Sequence, residues 1–236
     1  MASALVAAPL GLDLGAGVQS AGFLLGDHEA VVAELSQLSA PGLPERAVAK
    51  RRAEFLAGRL AAQQALEALG FATMPGRNED GSPSWPQAVV GSITHGAGRA
   101  LCAVARRAEL RSLGIDVERL LSPSAKEELM ARICSDDERA LLARELVASE
   151  QQLVTFAFSA KESLYKCLYP LIGRFMDFSA ARVVAATGAE AGGALRGELV
   201  LELAEDWSAE FRQGHRFQAP FLASDSHVET AVLLAI

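Results

Sequence analysis

Lys161, Glu162 and Lys166 sit in the stretch FSAKESLYK, Phe158 to Lys166, inside a segment that otherwise has the pattern of a buried helix. At about 100° per residue, Leu153, Ala157, Ala160, Leu164 and Leu168 fall on one face, and Glu162 and Lys166 lie opposite with Ser159 beside them. Alone, such a pair reads as an exposed i,i+4 contact adding a few tenths of a kcal/mol. A second acidic stretch, LGIDVER, changes that reading. In a strand Leu113, Ile115 and Val117 point one way, and Gly114, Asp116 and Glu118 the other. Asp116 and Glu118 then lie roughly 6 to 7 Å apart along one face, within reach of one hard cation, and Gly114 leaves the backbone open beside them. Oxygen ligands with no His or Cys set favour magnesium over zinc, because magnesium keeps waters and shares its remaining positions with phosphates. Without Glu162, the same stretch would read as a solvated strand face.

The third element is GSITH, Gly91 to His95, ahead of the turn GAGR. Thr94 and His95 at a strand end before glycines place hydroxyl, imidazole and backbone N–H groups where an anion could be met. The turn is neither a G-x-x-x-x-G-K-[ST] loop nor a full dinucleotide fingerprint.

These residues need elements to hold them. Pro44 to Gly70 is rich in Ala, Leu, Arg and Glu, has no internal proline and closes on glycine, which predicts a helix with a glycine stop. The segment from Met74 to Pro86 is a turn-rich connector. AVVGSITH and ALCAVARR read as a hairpin around GAGR, and LRSLGIDVERL as a further strand. Helical patterns occupy SAKEELMARI and the run from Ser135 to Tyr169, with Ser135 and Glu138 as a capping box. The last third reads as four strands, ARVVAATG, GELVLELA, RFQAPFLASD and HVETAVLLAI. Each half offers a long helix and strands, so the expected fold is α+β with two similar lobes, 1–110 and 111–236.

At 236 residues, half of them apolar, the chain can bury a substantial core. A net charge of -7 argues against nonspecific nucleic-acid binding. Three scattered cysteines give neither a disulfide framework nor a zinc pair, which points to a reducing cytoplasm. The apolar opening lacks the charged start and the length of a signal peptide or membrane span, so no membrane association is expected.

Taken in order, GSITH, GIDVE and FSAKESLYK resemble the Sfp-type 4'-phosphopantetheinyl transferases. KRRAEFLAGR, the GSPSWP turn and KESLYK followed by CLYP are most similar to the EntD-like branch, which serves siderophore, polyketide and nonribosomal peptide synthesis. The likeness runs from about Ala47 to Phe178. It implies a pseudo-twofold monomer with coenzyme A between its two lobes. The implied reaction transfers the 4'-phosphopantetheine arm to a serine of an apo acyl or peptidyl carrier protein and releases adenosine 3',5'-bisphosphate. By the same resemblance Asp116, Glu118 and Glu162 would hold Mg²⁺, with Mn²⁺ as substitute, and Glu162 is the candidate base. Lys161 and Lys166 would contact phosphates or fix the acidic cluster. His95, with Thr94, would bind the coenzyme A phosphates, and Glu162, Lys166 and His95 form the implied catalytic set. Arg51, Arg59 and Arg77 would hold the nucleotide end with its 3'-phosphate. Family members often carry lysine in a GKP-like turn where this chain has Ser82, which places more weight on Arg77. The carrier face around the serine is commonly acidic, so Arg106, Arg107, Arg111 and Arg119 are the expected docking surface, with SPSAKEELMARI as a docking helix. Two other classes fit parts of the pattern. A metal-dependent nucleotide phosphohydrolase explains the carboxylates but not the preference for a protein hydroxyl. A noncatalytic carrier-binding protein would not need the acidic set.

Overall fold

Residues 3–44, 46–122, 124 and 127–236 are described by the structure, a computed structural model. They divide into two units: the residues up to Leu113 with Leu234–Ile236, and Gly114–Leu233.

The first unit begins with β1 (Leu5–Ala7), β2 (Val18–Leu25) and the short helix α1 (His28–Glu34). Then come the long helix α2 (Ala49–Ala68), the two-residue arms β3 (Gly76–Arg77) and β4 (Pro83–Ser84), and the hairpin β5 (Val89–Gly96) and β6 (Arg99–Arg106). An antiparallel sheet in the order β1-β2-β6-β5 results. The hairpin turns on Ala97 and Gly98, at φ 51° and 72°, as a tight two-residue turn requires. Ala53, Ala57, Ala61 and Ala65 are buried on α2, and these small side chains let the helix lie close on β2 and β6. The expected glycine stop is present: Gly70 has φ 88°, with Phe71 N–H donating to Leu66 O at 2.9 Å and Gly70 N–H to Glu67 O at 2.9 Å. Strand β2, paired with β6 inside the sheet, was not marked by the sequence pattern, because Gly22 and Ser20 interrupt its alternation.

Strand β7 (Leu110–Arg119) starts in the first unit and continues into the second. There follow α3 (Glu127–Ile133), α4 (Asp136–Glu145), α5 (Glu150–Ile172), β8 (Ala181–Ala191), β9 (Ala194–Leu203), β10 (Arg216–Ala223) and β11 (His227–Ala235). The sheet order is β7-β11-β10-β9-β8, with α5 against β10 and β9 and α4 against β8. The run from Ser135 is not one helix. Ser135 and Glu138 form the expected capping box on α4, and a second box, Ser149 with Gln152, restarts the chain as α5. Two cap side chains competing for backbone N–H groups explain the break. Gly173, at φ 66°, closes α5. The docking helix read from Ser122 onward is α3 in its described part; Pro123, Ala125 and Lys126 lie outside the described residues.

Both units thus lay a long helix on an antiparallel sheet, and the fold class is α+β as expected. Among the described residues, no helix is long and apolar enough to cross a membrane.

Candidate functional site

Two clusters of chemically capable side chains stand out, one in each unit.

In the first unit, a cavity of about 200 Å³ is lined by Arg51, Glu54, Phe55 and Arg59 of α2, Arg77 of β3 and His95 of β5. Positions 51, 54, 55 and 59 share one helix face, which is why α2 can present all four together. Arg59 is only 3% exposed, its guanidinium lies 4.9 Å from the Phe55 ring centroid, and its Nε and Nη1 have no hydrogen-bond partner. Burial, then the charge of Arg77, lowers its proton affinity from the ordinary arginine value. A buried, under-satisfied guanidinium is costly unless an anion meets it. Arg77 is held in a slot: its Nη1 reaches Gly42 O at 3.4 Å, and a Cβ on Gly42 would lie 2.8 Å from Arg77 Cβ. Gly42, at φ 80°, is therefore required both by backbone conformation and by space. Arg51 Nη1 lies 3.2 Å from His95 Nε2, and Glu54 Oε2 lies 3.6 Å from His95 Nδ1. Thr94 is not brought to this cavity. Adjacent residues of a strand face opposite sides, and Thr94 is buried on the other face of β5 from His95.

In the second unit, Asp116 and Glu118 of β7 meet Glu162 and Lys166 of α5. Asp116 is 1% exposed, with Oδ1 accepting from Lys166 Nζ at 2.5 Å and Oδ2 from Ser159 Oγ at 2.9 Å. Ser159 Oγ lies 2.9 Å from Thr230 Oγ1, which lies 2.7 Å from Ser163 Oγ. Burial, then the charge of Asp116, pushes Glu118 up to about 7, with Lys166 drawing it down and Glu162 adding to the rise. Burial likewise raises Glu162, opposed by Lys166 and reinforced by Asp116. The backbone beside these acids is closed rather than open. A Cβ on Gly114 would strike the Ser163 carbonyl and lie 2.5 Å from Cys167 N, so glycine here lets β7 press directly against α5. Among the described residues, no group of three or more His, Cys, Asp or Glu side chains is gathered into a set that could hold a metal ion as it stands.

Lys161 is placed differently from Lys166. Its ammonium is buried, 2.8 Å from Glu138 Oε1 and donating to Ile133 O at 2.7 Å, so its charge is paired with Glu138 rather than with Asp116. Glu138 also accepts from Val183 N–H at 2.8 Å, which ties α4, α5 and β8 together. A second cavity, of about 210 Å³, is walled by Tyr165, Phe175, Met176, Phe178 and Trp207 together with the charged Lys161, Glu162 and Asp177. Sequence reasoning missed Glu54, Ser163 and Thr230. Glu54 carried a usable signal, three residues from Arg51 on the same helix face, whereas nothing local marks Thr230. Two of the four arginines read as a docking surface bond the backbone: Arg106 Nη2 donates to Leu69 O at 2.6 Å, and Arg107 donates to Gln87 O at 3.0 Å and Val89 O at 3.3 Å.

Residues 39–105 match the family model of the 4'-phosphopantetheinyl transferase N-terminal domain, and residues 112–226 that of the 4'-phosphopantetheinyl transferase superfamily. The chain belongs to the 4'-phosphopantetheinyl transferase superfamily. It is 40% identical over 138 residues to enterobactin synthase component D of Salmonella typhimurium, covering 58% of this chain and 56% of that protein. It is 42% identical over 144 residues to 4'-phosphopantetheinyl transferase Svp of Streptomyces mobaraensis, covering 58% and 56%. It is 38% identical over 140 residues to 4'-phosphopantetheinyl transferase PptT of Mycobacterium tuberculosis, covering 58% and 60%. The chain thus spans somewhat over half the length of the curated relatives it matches.

Proposed function

We propose that this protein transfers the 4'-phosphopantetheine arm of coenzyme A to a serine of an apo carrier protein. The observation that carries the reading is Arg59, buried with two unpartnered guanidinium nitrogens in a cavity shared with Arg51, Arg77 and His95. So much positive charge around a small space suits a ligand end bearing more than one negative charge, as a ribose 3'-phosphate beside a pyrophosphate does.

The carrier serine oxygen forms a bond to the β-phosphorus of coenzyme A, and the bond from that phosphorus to the oxygen bridging to the nucleotide breaks. The serine proton goes to a base, and adenosine 3',5'-bisphosphate leaves with the bridging oxygen. Glu162 is the base in this reading. Its proton affinity is raised by burial, which favours accepting a proton. Lys166 orients Asp116 and offers positive charge where phosphate oxygens gain negative charge. Lys161 supports the site through its pair with Glu138.

The donor set fits a magnesium ion. The three acids offer the carboxylate oxygens magnesium takes, and Glu118 is pushed up to about 7 by burial, then by the charge of Asp116, with Glu162 adding to the rise, a crowding that a divalent cation relieves. Asp116, now engaged by Lys166 and Ser159, would hold it together with Glu118 and Glu162 once the three side chains rearrange, and the ion would supply positive charge for the phosphate oxygens.

The test is incubation with coenzyme A and Mg²⁺, with and without an apo carrier protein. Expected are a phosphopantetheine mass gain on the carrier and matching release of adenosine 3',5'-bisphosphate only when carrier is present. Equal release without carrier would instead make the protein a phosphohydrolase. Cytoplasmic location and a monomeric state belong to the same proposal.

A further inference from the structure

The cavity assigned to a polyanion carries a carboxylate in its wall, and simple electrostatics opposes it. Glu54 Oε2 lies 3.6 Å from His95 Nδ1, and its Oε1 lies 3.8 Å from Lys50 Nζ. At such separations a negative charge repels an incoming phosphate by an amount that matters in a partly buried site. Glu54 therefore needs a reason to be there, and its geometry supplies one. On the opposite edge of the imidazole, Arg51 Nη1 lies 3.2 Å from Nε2. A guanidinium has donors and no acceptor, so Nε2 must accept, and the single proton of a neutral ring must sit on Nδ1, the nitrogen facing Glu54. Carboxylate, imidazole and guanidinium then form a row, the Glu54 contact being electrostatic at 3.6 Å, longer than a hydrogen bond. Among the described residues, the charged groups that line this cavity or pair with its wall include Lys50, Arg51, Glu54 and Arg59 of α2 and Arg77 of β3.

We propose that Glu54 is a positioning residue, fixing the His95 ring as its Nδ1–H tautomer and thereby aiming the Arg51 guanidinium into the nucleotide cavity. This rests on the coenzyme A reading above. It sets two explanations against each other. If Glu54 acts only by repelling the ligand, neutral variants bind coenzyme A more tightly; if it acts through His95, removing the oxygen that faces Nδ1 weakens binding.

The experiment uses the full chain. The protein has four histidines, so nitrogen NMR at pH 8, with His95→Gln for assignment, reads the His95 tautomer directly. Wild type should show the proton on Nδ1. Glu54→Leu should give a tautomer mixture, and Glu54→Gln, whose amide oxygen still presents a partial negative charge to the ring, should keep Nδ1–H. Loss of one charge-assisted contact should raise the KM for coenzyme A about tenfold in Glu54→Leu, with kcat and the carrier KM little changed. Glu54→Gln should restore most of it. A wild-type ring protonated on Nε2, or a lower KM in both neutral variants, overturns the proposal. Should Glu54→Leu fail to fold, the wild-type tautomer and the Glu54→Gln kinetics still decide. Failure of wild type to bind coenzyme A in calorimetry would sink the proposed function instead, and the tautomer readout would still decide the role of Glu54.

Discussion

At the scale of single residues, the two clusters are under opposite electrostatic stress. Arg59 is buried positive charge with two guanidinium nitrogens unpartnered, and Glu118 is half-buried negative charge with like neighbours. Glu118 gives a pH prediction whose sign is fixed. Its folded-state value, about 7, stands above the ordinary 4.5, so between those values the folded chain keeps a proton that the unfolded chain has released. Stability contributed by that proton is full below about 4.5, falls as pH rises toward 7 and levels off above. Thermal midpoints between pH 5 and 8 should show this decline in wild type and not in Glu118→Gln. Mg²⁺ should recover the loss at pH 8 and do little at pH 5, where proton and metal compete for the same oxygens. A Mg²⁺ effect equal at both pH values would remove Glu118 from the proposed metal set. Glu162 is tested by rate instead. As general base its replacement in Glu162→Gln should slow transfer by about a hundredfold or more while the melting profile persists, and near-normal turnover in the folded variant would exclude it.

At the scale of elements, what matters is how closely β7 and α5 approach. Gly114 is the position that allows it, because any side chain there meets the Ser163 carbonyl and Cys167 N, which are helix backbone and cannot swing aside. Overpacking of this kind costs about 1 to 3 kcal/mol or more, so Gly114→Ala should shift urea unfolding by at least that lower bound. It should also weaken Mg²⁺ binding, since Asp116 and Glu118 ride on the displaced strand. An unchanged urea midpoint would mean that β7 and α5 do not meet as described. This contact also shows where sequence reading stops. The motifs GSITH, GIDVE and FSAKESLYK were legible because each packs its chemistry into one element, and period alone places Asp116 with Glu118 and Glu162 with Lys166. Gly114 was legible as a glycine but not as a contact, because its neighbour lies about fifty residues away in the chain. Lys161 went the same way: a helical wheel sets it at the edge of the core stripe, and Glu138, brought in from α4, is the partner that lets its charge be buried there. Thr230 comes from β11 and completes the hydroxyl row to Asp116 through pairings that no local pattern encodes.

At the scale of the whole molecule, a net charge of -7 conceals a division of labour between the units. The arginine-lined cavity belongs to the first unit, and the carboxylates belong to the second. Each is assembled from side chains of its own unit, so each should answer to its own ligand. Hydrogen exchange on the intact protein can read this, since a ligand that binds only the folded state slows opening of the elements it contacts. Adenosine 3',5'-bisphosphate without metal should protect residues 49–68, 76–84 and 89–96, the segments that carry Arg51, Arg59, Arg77 and His95. Mg²⁺ without nucleotide should protect residues 114–119 and 158–167 instead. Arg59→Met keeps much of the stem packing while deleting the buried charge, so it should abolish the nucleotide pattern and leave the Mg²⁺ pattern intact. Nucleotide protection that survives Arg59→Met unchanged would place the phosphate on other groups, and the buried guanidinium would then be a purely structural charge.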